Sequence, residues 1–180
     1  MAVPSQSTVA VGDKITASLW NDDVKDAVNF LLSPPRCKVY KTANQSIANA
    51  AYACLTWNAE AFDTDTMHDN TTSNSRITFT TAGTYQVTLN LYMASNSTGN
   101  RLATIEKNGT TTQGSGTVIM ETLGYYPPAV THNGFSLTTM ASFAAGDYIQ
   151  AFVYQSSGGA LNVSGTTEAH SSFSARWVAT

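Results

Sequence analysis

The residues best equipped for chemistry crowd into one short run, where Asp63, Asp65, His68, Asp69 and Asn70 follow one another closely. Oxygen ligands at that density suit a calcium ion. Their order does not suit the helix-loop-helix calcium site. Met67 takes its fifth position, no glycine takes its sixth, and Asn74 stands where the closing glutamate belongs. Loop carboxylates also bond their own backbone and so build turns. That is the expectation here, with no metal. His68, His132 and His170 lie far apart and have no neighbour at zinc spacing. They read as surface or sheet-edge residues. Gly114-Ser115-Gly116 lacks the lysine that would make it cradle phosphate, and no nucleophile elbow or zinc-protease pair occurs. Glycoside hydrolysis needs two positioned carboxylates, and Glu60, Glu106, Glu121 and Glu168 align no such pair. The expectation is a non-enzymatic chain without a cofactor.

Composition narrows the class further. Charged residues make up 12% of the 180, about half the usual share of roughly 25%. Threonine, serine, asparagine and alanine fill the gap, as in extracellular or particle-borne β proteins. The net charge of −3 disfavours nucleic acid, which is bound by displacing counterions with basic patches. Lysines stand singly at Lys14, Lys25, Lys38, Lys41 and Lys107, so no basic run faces an anionic membrane. No apolar run approaches the ~20 residues of a membrane span. The opening MAVPSQSTVAVGD has no basic start followed by an apolar stretch, which disfavours a secretory signal. Cys37 and Cys54 sit in apolar-periodic stretches. They read as buried free thiols, with a disulfide as the alternative.

The elements that must position these residues follow from periodicity. Residues 1–13 read as an extended arm, disordered or laid on a partner. Residues 16–32 read as the one helix. Thr16 caps it, and Trp20, Val24, Ala27, Val28 and Leu31 form one apolar stripe. Pro34-Pro35 ends it. The helix either packs on its own β domain or serves assembly, with Trp20, Val24, Val28 and Leu31 binding a partner or its own copies. From Cys37 onward about ten strand-like segments alternate with turn signals. They run over 38–42, 46–48, 52–57, 76–80, 84–94, 101–107, 117–122, 134–143, 148–154 and 171–179. In 76–94 the alternation is strictest and predicts two strands joined by a tight turn at Ala82-Gly83, with one face buried. The expected architecture is all-β with an N-terminal arm and one helix, divided into 1–36 and 37–180.

Residues 37–180 resemble the jelly-roll family of the complement globular heads and tumour necrosis factor. The resemblance rests on Phe79 followed by Ala82-Gly83, Tyr85 and Val87. It continues through Ile105, Lys107-Asn108-Gly109 and Ala145-Gly146-Asp147-Tyr148-Ile149 to the closing Phe173-Ser174-Ala175. It implies a sandwich of about ten antiparallel strands and a threefold assembly. The leader, with Gly12-Asp13, Asn21-Asp22, Val24, Leu31 and Pro34-Pro35, looks like the N-terminal segment of small structural proteins of tailed bacteriophages. Phe62-Asp63-Thr64, Met67-His68-Asp69, the Arg101 strand and the turn from Tyr154 to Gly159 look like phage relatives of the same jelly roll.

These resemblances imply a virion protein, assembled in the host cytoplasm and working as a trimeric surface knob. A minor tail or tail-tip protein recognising a host-surface glycan or protein is one reading. A capsid decoration or head-fibre protein stabilising neighbouring subunits through residues 1–36 is the other. In 148–154, Ile149, Ala151 and Val153 are assigned to the core, and Tyr148, Gln150, Phe152 and Tyr154 to the other face. Three aromatics there exceed what a monomer leaves in water. Tyr148, Phe152 and Tyr154, with Tyr92 beside Gln86, Thr88 and Asn90, are therefore expected at the homotrimer interface. A strand covered on both faces within one chain is the alternative. Tyr125-Tyr126-Pro127-Pro128 is a stiff aromatic loop and the candidate receptor contact, or else a lid on the barrel end.

Overall fold

The computed structural model describes residues 3–5, 7–125, 132–167 and 169–180. A broken helix comes first: α1 (Ala17–Trp20), a π-helical segment (Asn21–Lys25) and α2 (Asp26–Leu32). Thr16 caps it as its type predicts, its hydroxyl accepting from the Leu19 amide at 3.2 Å. The π segment inserts a wider turn, so the apolar residues do not follow a uniform α-helical stripe.

Twelve strands follow among the described residues. They are β1 (Arg36–Tyr40), β2 (Gln45–Ile47), β3 (Ala51–Cys54), β4 (Ala59–Asp63), β5 (Arg76–Thr78) and β6 (Gly83–Ala94). Then come β7 (Asn100–Lys107), β8 (Thr117–Tyr125), β9 (His132–Phe143), β10 (Tyr148–Gln155), β11 (Leu161–Val163) and β12 (Ser172–Ala179). All ten expected strands are present. The two additions are β4, which does not alternate, and β11, which has three residues. One sheet runs β2-β11-β6-β12-β1-β4, with β9 also paired to β6. The other runs β3-β10-β7-β8, with β5 also paired to β10. Every pairing is antiparallel.

The expected hairpin at residues 76–94 is not one. β5 pairs with β10 and β6 with β9 and β12, so this stretch crosses from one sheet to the other. Its glycine serves a close approach. A Cβ on Gly83 would come within 2.3 Å of Trp177 Nε1 and 2.7 Å of the Ala179 carbonyl oxygen. Only glycine lets β6 begin there.

The inner faces form one core. Tyr85, Val87, Leu89, Leu91 and Met93 of β6 are all buried, opposite Ile149, Ala151 and Val153 of β10. Phe79 stacks on Phe143 with centroids 3.8 Å apart, and Trp57 stacks on Phe173 at 5.7 Å. Two turn motifs that lie far apart in the chain lock together. The Asp147 carboxylate accepts from the Asn108 amide group (2.6 Å) and the Ala144 backbone N–H (2.7 Å), and pairs with Lys107 at 2.7 Å. The Tyr148 backbone N–H in turn donates to Asn108 Oδ1.

Candidate assembly and recognition surfaces

Among the described residues, the helix meets the sandwich through one buried side chain. Phe30 meets Trp177 of β12 edge to face, with centroids 4.8 Å apart, and the Trp177 backbone N–H donates to the Pro35 carbonyl. The arm folds back on the helix, where the Ser7 amide and hydroxyl both donate to Asp23 Oδ1. The rest of the apolar leader stays open. Trp20 is 56% exposed and Leu31 71%, with Val24 and Val28 also exposed. The four residues expected to serve assembly are therefore uncovered in one chain. The residue that docks the helix is Phe30, which lies outside the expected stripe.

The residues expected at a trimer interface do not form one patch. Tyr92 lies on the β6 sheet, stacked on His170 at 5.0 Å. The other three lie on β10, in the opposite sheet. Phe152 is 0% exposed, so its assignment to an intersubunit face is corrected: it is already buried within one chain. Gln150 is buried beside it, donating to the Gly109 and Thr110 carbonyls at 3.0 Å and accepting from Ser75 Oγ at 2.9 Å. The outer face of β10 is thus covered where the 109–110 segment crosses it. Tyr148 is half-buried, its hydroxyl donating to the Gly109 carbonyl and its ring lying 4.1 Å below the Arg76 guanidinium carbon. Tyr154 is half-buried against the exposed Tyr52. Tyr126 lies outside the described residues, as do the side chains of Tyr125 and His132 and all of Glu168.

The acidic run spends its oxygens on turns. Asp63 accepts from the Asp65, Met67 and His68 backbone amides. Asp65 accepts from the Thr80 and Thr81 hydroxyls. The Thr72 and Thr71 amides and the Thr71 hydroxyl hold the Asp69 carboxyl down at about 2. His68 is buried between Glu60 Oε1 (3.1 Å) and the Asn74 carbonyl (3.3 Å), so it is not the surface residue its isolation in sequence implies.

Other buried polar groups also serve the backbone. Glu106 accepts from the Gly114 and Gly116 amides, and Arg101 donates to the carbonyls of Asn96, Thr98 and Asn100. Lys41 donates to Gln45 and the Thr56 carbonyl, and burial pulls its ammonium down to about 8. Cys37 and Cys54 are free, on different sheets, and burial raises both thiols.

One cluster was invisible to sequence reasoning. Arg36 and Arg176 are direct cross-strand partners on β1 and β12, although most of the chain separates them. Only the register brings them together. They border a groove of about 280 Å³ on the outer face, with Gln86, Thr88, Ser174 and Phe62.

No family model and no curated relative matches the sequence. Solved structures do match the fold. The crystal structure of murine APRIL at pH 5.0 aligns with a TM-score of 0.60 at 10% identity, covering 80% of this chain and 98% of that one. Eiger TNF from S. frugiperda aligns at 0.55 and 10%, covering 81% and 94%. The globular domain of zebrafish complement 1qA aligns at 0.53 and 10%, covering 80% and 97%. The chain has the jelly-roll fold of these tumour necrosis factor and complement globular domains. The resemblance drawn from Phe79, Gly83, Gly146-Asp147 and Phe173 holds at the level of fold.

Proposed function

We propose that this chain is a non-enzymatic structural component of a bacteriophage particle: a trimeric surface knob held by residues 1–36. On this reading it is a minor tail or tail-tip protein that takes part in host-surface recognition. The observation that carries the reading is where apolar surface is left uncovered. Among the described residues, eight of the thirteen exposed large hydrophobics lie between Val9 and Leu32. A segment this short, with one buried side chain and a row of open ones, suits a partner more than solvent. The leader's likeness to phage structural proteins supports a virion as that partner. The jelly-roll fold supports three-fold self-association of the remainder.

A second reading has its own support. The uncovered apolar surface concentrates in the leader, not on the sandwich, which favours a capsid decoration or head-fibre protein whose leader binds neighbouring subunits. One experiment tests both. Particles are assembled with the wild-type chain or with Trp20→Ser, Val24→Ser and Leu31→Ser combined. Loss of the chain from purified particles with a folded sandwich is the expected result. Full incorporation of the variant would contradict the anchoring role. Host adsorption by particles lacking the chain then separates the readings: reduced adsorption supports recognition, and unchanged adsorption with fragile heads supports decoration.

A further inference from the structure

The arm and the helix form a hairpin with one open side. Val3 and Pro4 lie beside Ala27 and Leu31. Further along, Ser7 donates to Asp23 Oδ1 from its backbone amide (2.8 Å) and its hydroxyl (3.0 Å). Val9 then reaches Leu19, Trp20 and Val24, so the arm runs antiparallel to the helix. At the turn the Asp13 carboxylate accepts from the Ala10 amide at 2.6 Å, and the Asp13 amide donates back to the Ala10 carbonyl at 3.1 Å. Between arm and helix lies a groove of about 390 Å³. Its apolar walls include Val9, Ile15, Trp20 and Val24, all of them exposed. The polar residues lining it, among the described residues, are Asp13 and Asp23.

Both carboxylates accept from neutral donors, which leave their charge in place. Asp22 and Asp26 add two more on the same helix, so residues 9–26 hold four aspartates against two lysines. Among the described residues no lysine or arginine lies within ion-pairing distance of any of the four. An apolar groove rimmed by negative charge matches a segment that brings both an apolar anchor and a cation. A second copy of the leader matches it less well, because it brings the same excess of carboxylates. The fold-back is already in place, which lowers the ordering cost of docking. We propose that this groove takes a short apolar segment of another virion protein, flanked by lysine or arginine that reaches Asp13 and Asp23. This partner chemistry rests on the anchoring role given above to residues 1–36.

The test uses the full chain and a labelled synthetic octapeptide, lysine-leucine-leucine-lysine twice over, followed by fluorescence anisotropy. One control peptide has glutamate for every lysine, and another has serine for every leucine. At low salt the lysine-leucine peptide should bind about fivefold more tightly than the glutamate peptide and about tenfold more tightly than the serine peptide. Asp13→Asn combined with Asp23→Asn keeps the acceptor oxygens that hold the arm and removes the charge, so it should abolish the preference for lysine. Trp20→Ser should abolish the preference for leucine. In the wild-type chain ~0.5 M salt should erase the first preference and spare the second, a readout that depends on no variant. Equal binding of the lysine and glutamate peptides would overturn the cationic flank, as would a preference untouched by the double asparagine variant. Equal binding of the leucine and serine peptides, or no binding of any peptide, would overturn the groove. A fall of oligomeric mass in Trp20→Ser would overturn the proposal by showing that a second copy fills the groove. Particle incorporation separates this claim from anchoring. Full incorporation of the double asparagine variant, with loss of the Trp20, Val24 and Leu31 serine variant, would overturn the partner chemistry and leave the anchoring role standing. Full incorporation of that serine variant would remove the anchoring role, and with it the virion partner.

Discussion

Phe30 and Trp177 meet at 4.8 Å with their rings at 89°, and this contact joins the N-terminal leader to the last strand of the sandwich. Trp177 also closes against the start of β6, where its indole N–H reaches the Ala82 carbonyl at 3.4 Å and its ring excludes any Cβ at Gly83. One tryptophan therefore links the leader to the strand at the centre of the fold.

Phe30→Ala should free the leader while sparing the sandwich. Edge-to-face pairs add about 0.5–1.5 kcal/mol beyond the apolar area they bury, and Phe30 is the one buried side chain of the helical segments. Trypsin cleavage at Lys14 and Lys25 should accelerate more than tenfold, with the main thermal transition little changed. Unchanged cleavage would mean that the leader is held by something other than this contact.

Phe152 and Tyr154 should separate interior from surface. Phe152→Ala empties a fully buried site and should cost about 3–5 kcal/mol in chemical denaturation. Tyr154→Ala loses its contact with Tyr52 and should cost about 1 kcal/mol. The reverse order would restore Phe152 to an intersubunit face.

These two residues also mark what the sequence could and could not disclose. Strict alternation identified the buried set of β6 because a period of two is a local property. It assigned Phe152 outward by the same rule, yet a strand in mid-sheet can be covered on its second face, as Gln150 of the same strand is by the Gly109 and Thr110 carbonyls. β4 escaped because Ala59–Asp63 does not alternate, and β11 because three residues carry no period. The break between β5 and β6 looked like a turn, since a glycine after alternating residues fits a hairpin as well as a change of sheet. The leader stripe was legible in composition, but the π segment shifted which residue docks. The Arg36–Arg176 pair depends on register, which no local pattern encodes.

Stability should respond to pH on both sides of neutrality. Asp69 has its carboxyl lowered to about 2 by the Thr72 and Thr71 amides. A depressed carboxyl contributes fully above its unfolded value of about 4 and loses that contribution as pH falls through about 2. Lys41 works in the opposite sense. Burial lowers its ammonium from 10.5 to about 8, so the unfolded chain holds more protons between these values and stability rises as pH climbs through them. Denaturation midpoints measured across pH should show both slopes. Asp69→Asn should flatten the acid limb and Lys41→Met the alkaline one; unchanged limbs would contradict these assignments.

The thiols should be silent in the native protein. Burial raises both, and Cys37 is fully enclosed, so the reactive thiolate is scarce. Native protein should resist iodoacetamide at Cys37 and label there only on unfolding, and a reductant should leave the thermal midpoint unchanged. Rapid labelling of Cys37 would contradict the packing of β1 against β12.

The account's central claim is a self-associating knob, and the molar mass of the purified full chain by light scattering tests it most directly. At micromolar concentration it should be three times the mass of one chain, and it should remain so when Trp20, Val24 and Leu31 are replaced by serine. A single-chain mass under those conditions would contradict the claim.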